Sequence, residues 1–380
     1  MDLTPFKNCL AHTNGLYISN ELDSYKPCCW FKDGIAASSV EEYNTKLVQM
    51  DIAVNCAHCI KQEEAGSNWS HRKLFVDTEE LVLGVCFDNI CNLKCVTCSP
   101  LHSTRLIPEW IKLARIGINQ KSFHLNIKDK AGEKLAVVKE FLMINTNANS
   151  IRVEIFGGEP LINPLVHSFI EWMSEQPFNT HVKLSLTTNG TGYFEKLEYY
   201  LTKFSEVNVQ LSVDGVGSIF EYLRFGANAD KLMEFAQRYK IVREQNPNFM
   251  LSFNYTLSWM NSLHFAEYFN WICTNFIDVG LYLTKLEGPE VFSVNILSDK
   301  MRKEIHSLVL SRINAPSPSW QHNNLLELYT QSMLFAFDKE TFDVVNYNNA
   351  LIILQQTDKF RNTSSKELIT PVQEIINRHQ

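Results

Sequence analysis

From about residue 80 to 288 the sequence alternates short β-rich runs with longer amphipathic stretches. This alternation constrains the fold more than any other feature, because strands that run the same way can be joined only by crossovers long enough to hold a helix. The β-rich runs are 81–87, 151–156, 182–187, 207–213, 250–257 and 279–285. Helix candidates lie at about 102–115, 131–145, 163–176, 192–204, 229–245 and 262–275, and Asn163 and Ser262 read as caps for two of them. Six such repeats are too few to close an eight-stranded barrel, so an α/β fold with a partial (β/α)6 barrel is expected. Residues 1–79 read as a cysteine-rich, metal-stapled extension with turns near Asn14-Gly15 and Asp33-Gly34, residues 80–290 as the barrel, and residues 291–380 as a helical C-terminal extension. The last of these carries an apolar series at Leu325, Leu326, Leu328 and Tyr329, then Phe335 and Phe337, and a short final helix after Pro371.

In parallel α/β folds the chemistry gathers at the C-terminal ends of strands, and the polar and glycine-rich punctuation sits there. The first run leads into Asp88 and a cysteine loop, the second into Gly157-Gly158-Glu159-Pro160, the third into Thr188-Asn189-Gly190, and the fourth into Asp214-Gly215.

Ten cysteines in a chain of 380 residues call for chemistry, since a reducing compartment keeps thiols free and clustered thiols there bind metal. A cytoplasmic protein is expected, because the first residues carry an early acid and no uncharged apolar run approaches the ~18 residues of a membrane span. The net charge of -7 offers no general attraction to long nucleic acid or to an anionic membrane. Nine of the cysteines precede residue 99; the tenth, Cys273, sits in an apolar helical pattern with Phe269, Ile272 and Phe276 and reads as a buried thiol.

The strongest motif is Cys91-x-x-x-Cys95-x-x-Cys98, directly after the first strand. Three thiolates converging from a compact loop can hold three corners of a [4Fe–4S] cube and leave the fourth iron open to a substrate or cofactor. A helical stripe of buried cysteines would have the same spacing, but Asn89 and Asn92 are poor helix formers and Pro100 stops the segment.

With Cys91-Asn92-Leu93-Lys94-Cys95 and Cys98 in that place, the chain resembles the radical S-adenosylmethionine superfamily. Gly157-Gly158-Glu159-Pro160 looks like the family's second-strand motif, whose backbone helps hold the methionine amino group. Thr188-Asn189-Gly190 and Ser212-Val213-Asp214-Gly215 look like its third- and fourth-strand motifs around ribose and carboxylate, and Arg224 stands where relatives bring a basic residue. Thr97 departs from the pattern, since the residue before the last cluster cysteine is usually aromatic or large and apolar in that family. The resemblance implies an S-adenosylmethionine-binding [4Fe–4S] cluster on Cys91, Cys95 and Cys98. It also implies reductive cleavage to a 5′-deoxyadenosyl radical that abstracts hydrogen from a substrate, and an external electron donor of flavodoxin or ferredoxin type. Cofactor contacts would fall to Gly157, Gly158, Glu159, Thr188, Asn189, Ser212, Asp214 and Arg224.

Cys9, Cys28, Cys29, Cys56 and Cys59 form a second group. Four thiolates suit a closed site, either an iron–sulfur cluster or an all-cysteine zinc, and no thioredoxin-like context surrounds the Cys56/Cys59 pair. The series is similar to the auxiliary-cluster region of twitch- or SPASM-type radical enzymes, although those usually carry it after the barrel; placed in front, it is similar to a less characterised group of twitch-domain proteins. That likeness implies a second [4Fe–4S] cluster on Cys9, Cys28, Cys56 and Cys59, with Cys29 able to replace Cys28. Cys86 reads as core, His58 as pointing away from its flanking cysteines, Tyr17, Trp30 and Trp69 as packing around this site, and His71-Arg72-Lys73 as a solvated basic face. Twitch- and SPASM-type relatives often modify peptides, so a peptide side chain is the expected substrate, with a nucleoside or small metabolite as rivals. The reading from another class is a non-catalytic iron–sulfur or zinc scaffold or sensor.

Overall fold

The computed structural model describes residues 9, 14–18, 24–64, 72, 80–115, 130–314, 319–334 and 341–380. Ten strands occur among them: β1 (Gly15–Ile18), β2 (Tyr25–Lys26), β3 (Leu81–Val85), β4 (Lys94–Cys95), β5 (Ile151–Ile155), β6 (Val182–Thr188), β7 (Glu206–Ser212), β8 (Arg224–Phe225), β9 (Phe249–Leu257) and β10 (Gly280–Lys285). Eight form a mostly parallel sheet in the order β10-β9-β7-β6-β5-β3-β1-β2, and β4 pairs with β8 separately.

All six expected strands are present, within about two residues at each end, but the sheet has eight strands rather than six. The additions come from the N-terminal region, where β1 runs parallel to β3 and β2 turns back along β1. These strands are four and two residues long, too short to show a period, and Gly15 opens a strand where its sequence reads as a turn.

The chain divides into two compact units, residues 1–90, 126–187 and 194–209 in the first and 91–125, 188–193 and 210–380 in the second. In the first, β5 and β6 alternate strictly. Ile151, Val153, Ile155, Val182, Leu184 and Leu186 are buried at 0–1% exposure and form the core with Phe141, Leu142, Phe169 and Met173 of the flanking helices. Arg152, Glu154, Lys183 and Ser185 occupy the opposite face, half-buried. Asn163 does cap its helix, accepting from Leu165 N–H at 2.9 Å. Three helices, Val40–Leu47, Ile52–Asn55 and Ala57–Glu64, give the cysteine-rich segment more regular structure than its sequence suggests.

The second unit packs aromatic rings around β9: Tyr255 meets Phe265 and Tyr268, and Phe265 stacks on Tyr329 at 4.1 Å. Its helices include Gly217–Leu223, Phe265–Asn275, Asp299–Arg312, Trp320–Leu334, Val344–Arg361 and Lys366–His379. Four expectations need correction. Ser262 is not a cap; it lies in a 3-10 turn, its hydroxyl donates to the Trp259 carbonyl, and the helix begins at Phe265. In the first unit the helix expected at 192–204 contracts to Leu197–Leu201. Pro371 lies inside the last helix, which survives the lost backbone bond because Leu368, Val372, Ile375 and Ile376 are buried. Cys273 is only half-buried. No helix among the described residues is long and apolar enough to cross a membrane. Trp69, His71, Lys73, Phe335 and Phe337 lie outside the described residues.

Candidate functional site

In the second unit, Cys91, Cys95 and Cys98 belong to a non-helical loop, which removes the cysteine-stripe alternative. All three are partly buried. The loop is held by antiparallel pairing of β4 with β8, in which Lys94 opposes Phe225 and Cys95 opposes Arg224, and Val96 N–H donates to the Leu223 carbonyl at 2.8 Å. Gly226, with φ 103°, brings β8 close over Leu93. Ser103 Oγ donates to the Leu93 carbonyl at 2.7 Å, and Arg105 reaches the Asn92 carbonyl at 2.7 Å. Burial pushes the Cys95 thiol up to about 11, with Arg224 pulling the other way, and burial lifts Cys98 further still. Raised thiols are the opposite of an activated nucleophile.

The motif after β6 braces this loop. Asn189 Nδ2 donates to Asn92 Oδ1 at 2.9 Å and stands 4.0 Å from Cys91 Sγ, while Asn92 Nδ2 donates to Thr191 Oγ1 at 2.8 Å. Thr188 Oγ1 accepts from Gly190 N–H, closing a turn in which Gly190 has φ 70°. After β7, where Ser212 is buried, Asp214 is 2% exposed and both its carboxylate oxygens are engaged: one accepts from Thr256 N–H at 2.9 Å and the other pairs with Arg224 at 2.8 Å. Arg224 Nε is buried without a hydrogen-bond partner, beside thiols whose charge it senses. The Asp214 carboxylate orients Arg224.

A second support has no sequence signature. Glu109 accepts from Lys94 at 2.9 Å and from Arg361 at 2.7 Å, and the Arg361 guanidinium lies 4.9 Å from the centre of the Phe225 ring. Burial would raise Glu109, but the hydrogen bonds from Arg361 and Lys94 outweigh it and hold the carboxyl below its ordinary value. No local pattern could reveal a pair that joins the helix after the cluster loop to the end of helix Val344–Arg361.

In the first unit, Gly157 and Gly158 follow β5 with φ of 78° and 55°. A Cβ on Gly157 would stand 2.0 Å from Cys86 Sγ, and one on Gly158 would stand 2.3 Å from the Ile90 carbonyl oxygen, so both glycines are sterically required. Glu159 N–H donates to that same carbonyl at 2.7 Å, and the Glu159 side chain caps the following turn through Leu161 N–H. Cys86 is fully buried, as expected. Asp88 accepts from Ile90 N–H and from Asn163 Nδ2, both at 2.9 Å, and Lys134 Nζ donates to the carbonyls of Cys86 and Phe87. Ile90, the residue before Cys91, is therefore fixed from several sides.

Also in the first unit, the N-terminal cysteines share one electrostatic neighbourhood. Burial, with smaller contributions from Cys59 and Cys9, lifts the thiols of Cys28 and Cys56 to about 12. Cys9 and Cys28 pack against Val82, and Cys56 packs against a cluster of Ile52, Cys59 and Ile60. Cys29 is exposed and lies within the influence of Glu154 as well as of Cys28. His58 turns aside and stacks on Trp30 at 3.9 Å, Tyr17 stacks instead on Phe156 at 4.8 Å, and Arg72 is committed to Glu63 rather than to a solvated face. Among the described residues no three His, Cys, Asp or Glu side chains close on a single metal ion. Tetrahedral zinc draws its thiolates to about 3.8 Å from one another, whereas a cube fills the space between its ligands and sets them farther apart.

No protein-family model and no curated protein matches the sequence. Solved structures similar in part include anSMEcpe with bound AdoMet, at TM-score 0.39 and 18% identity over 58% of this chain and 57% of that one. Streptococcus suis SuiB bound to S-adenosylmethionine is similar at TM-score 0.40 and 15% identity, over 72% of this chain and 57% of that one. A mutant spore photoproduct lyase with bound AdoMet and dinucleoside spore photoproduct is similar at TM-score 0.34 and 11% identity, over 64% of this chain and 71% of that one. The chain thus spans a little over half the length of anSMEcpe and of SuiB.

Proposed function

We propose that the protein is a radical S-adenosylmethionine enzyme in which Cys91, Cys95 and Cys98 hold a catalytic [4Fe–4S] cluster. One observation carries this: a single two-residue ladder gathers the three-cysteine loop with Arg224 and, through it, Asp214, while Asn189 braces the loop from the end of β6. A buried Arg224 Nε without a hydrogen-bond partner, beside the cysteine loop, suits an anionic cluster or the carboxylate of a bound amino acid. When bound, the reduced cluster supplies the electron for cleavage of S-adenosylmethionine to methionine and a hydrogen-abstracting 5′-deoxyadenosyl radical. The chain's own residues position and shield: the β4–β8 ladder fixes the loop, Asp214 orients Arg224, and the left-handed glycines let the backbone after β5 turn tightly. The electron comes from an external donor of flavodoxin or ferredoxin type.

Cys9, Cys28, Cys56 and Cys59 are proposed to hold an auxiliary [4Fe–4S] cluster, supported by their shared electrostatic neighbourhood. The proposed substrate is a polypeptide side chain. The test is anaerobic reconstitution with iron and sulfide, reduction, and measurement of 5′-deoxyadenosine. Candidate peptides are then screened by mass spectrometry for a two-hydrogen loss. A protein that holds iron yet makes no 5′-deoxyadenosine is the scaffold or sensor instead, and stoichiometric change of a free metabolite with every peptide untouched overturns the peptide assignment.

A further inference from the structure

A parallel sheet normally carries apolar residues on both faces, because helices cover both. In the first unit one face of β5 and β6 obeys this rule, while the other presents Arg152, Glu154, Lys183 and Ser185 half-buried. The register sets one row across that face: Tyr17 on β1 opposes Gly84 on β3, Gly84 opposes Glu154 on β5, and Glu154 opposes Ser185 on β6. Ser185 Oγ accepts from Asn208 Nδ2 at 2.9 Å. A Cβ on Gly84 would stand 2.4 Å from Tyr17 Cδ2, so the glycine lets the Tyr17 ring lie over β3 and stack on Phe156 at 4.8 Å and 16°. Phe156 follows Glu154 by two positions, which sets both on the same side of the strand.

The charges on this face are unevenly matched. Glu80 takes both cations, Arg152 at 2.6 Å and Lys183 at 2.9 Å, and accepts from Ser150 Oγ as well. Glu154 has no hydrogen bond from any described residue; burial raises its carboxyl, Arg152 draws it back, and Glu80 pushes it up again. The Glu154 oxygens are not sealed from solvent, so a cation can reach them, and an adjacent ring pair is the companion a cation prefers.

We propose that Glu154, with the Tyr17–Phe156 ring pair, forms a cation-binding subsite that receives an ammonium or guanidinium group. Only in naming that group as part of the substrate does this rest on the function proposed above. Enzyme labelled with carboxyl-13C glutamate reports the site directly: the Glu154 resonance is the one lost in Glu154→Asp, with Glu154→Gln as a second assignment should the first variant fail to fold. n-Butylammonium and methylguanidinium chloride are titrated against sodium chloride at equal ionic strength. A saturable shift with at least one organic cation, weakened about threefold in Tyr17→Leu, is expected. A resonance that moves no further than sodium chloride moves it overturns the subsite. Cleavage of S-adenosylmethionine by the wild-type protein is measured separately, so a chain that binds the cations but makes no 5′-deoxyadenosine keeps the subsite and loses the enzymatic reading.

Discussion

Cys95 and Arg224 stand directly opposite one another in a two-residue antiparallel ladder, and the Arg224 guanidinium is paired with a carboxylate, Asp214, that has no other cation among the described residues. Position and charge at the cysteine loop are therefore set by the same residue. Arg224 lowers the Cys95 thiol while its backbone fixes the Cys95 main chain.

Replacing Cys91, Cys95 and Cys98 together by Ala abolishes 5′-deoxyadenosine formation and leaves about four of about eight irons, those of the N-terminal cysteines. Replacing Cys56 and Cys59 removes the other half. Iron and sulfide analysis of both variants checks this. Wild-type cleavage in the first variant, or one zinc and unchanged iron in the second, contradicts the assignments.

Arg224→Met leaves the Asp214 carboxylate buried with a single backbone donor and lowers unfolding stability by about 3–5 kcal/mol, as expected for breaking one side of a buried pair. The double variant Arg224→Met/Asp214→Asn recovers much of that loss, because no unpaired charge remains. Denaturant melts of the reconstituted proteins give both values.

Gly157→Ala suffers twice, from strain at a positive φ and from contact with Cys86 Sγ. In a Cys86→Ala background the Sγ contact is gone, and the strain, about 1–2 kcal/mol, remains with a tight 3.0 Å approach to the retained Cβ of residue 86. A double-mutant cycle therefore returns a coupling between the two positions. Gly158→Ala has no such rescue, since its obstacle is the Ile90 carbonyl.

Glu109 and Glu80 both have depressed pKa values in the fold: burial opposes the shift, and cationic partners overcome it. Their contribution to stability is present above the ordinary carboxylate range near ~4.3 and is lost as pH falls through their lower folded values. Thermal melts across that acid window should decline less steeply for Glu109→Gln than for wild type. Equal slopes would show that the Glu109 ion pair contributes no such pH dependence.

Strictly alternating segments such as 151–155 and 182–188 are legible in the sequence because each residue's side of the sheet is written in its polarity. β4 and β8 are not, since two residues have no period and pair only through a partner distant in the chain. The same holds at the site. Cys91, Cys95 and Cys98 are recognisable by spacing, and the glycines after β5 by their turn chemistry. The Glu109–Arg361 pair leaves no local trace, and neither does the pairing of Asp214 with Arg224. Helix Gly217–Leu223 escapes notice because it opens with Gly217 and Ser218 and buries only Ile219, Phe220 and Leu223. Pro371 misleads because a buried apolar stripe outweighs one missing backbone bond.

The supports of the cysteine loop also order events during synthesis. A ribosome releases the three cysteines well before β8, and β8 well before Arg361, so a nascent chain exposes its thiols before the β8 and Arg361 supports exist. Under the proposed cluster assignment, the loop gains its last support only once residue 361 has emerged, and release that stalls before that point leaves the three cysteines without the Arg361–Glu109 pair behind them.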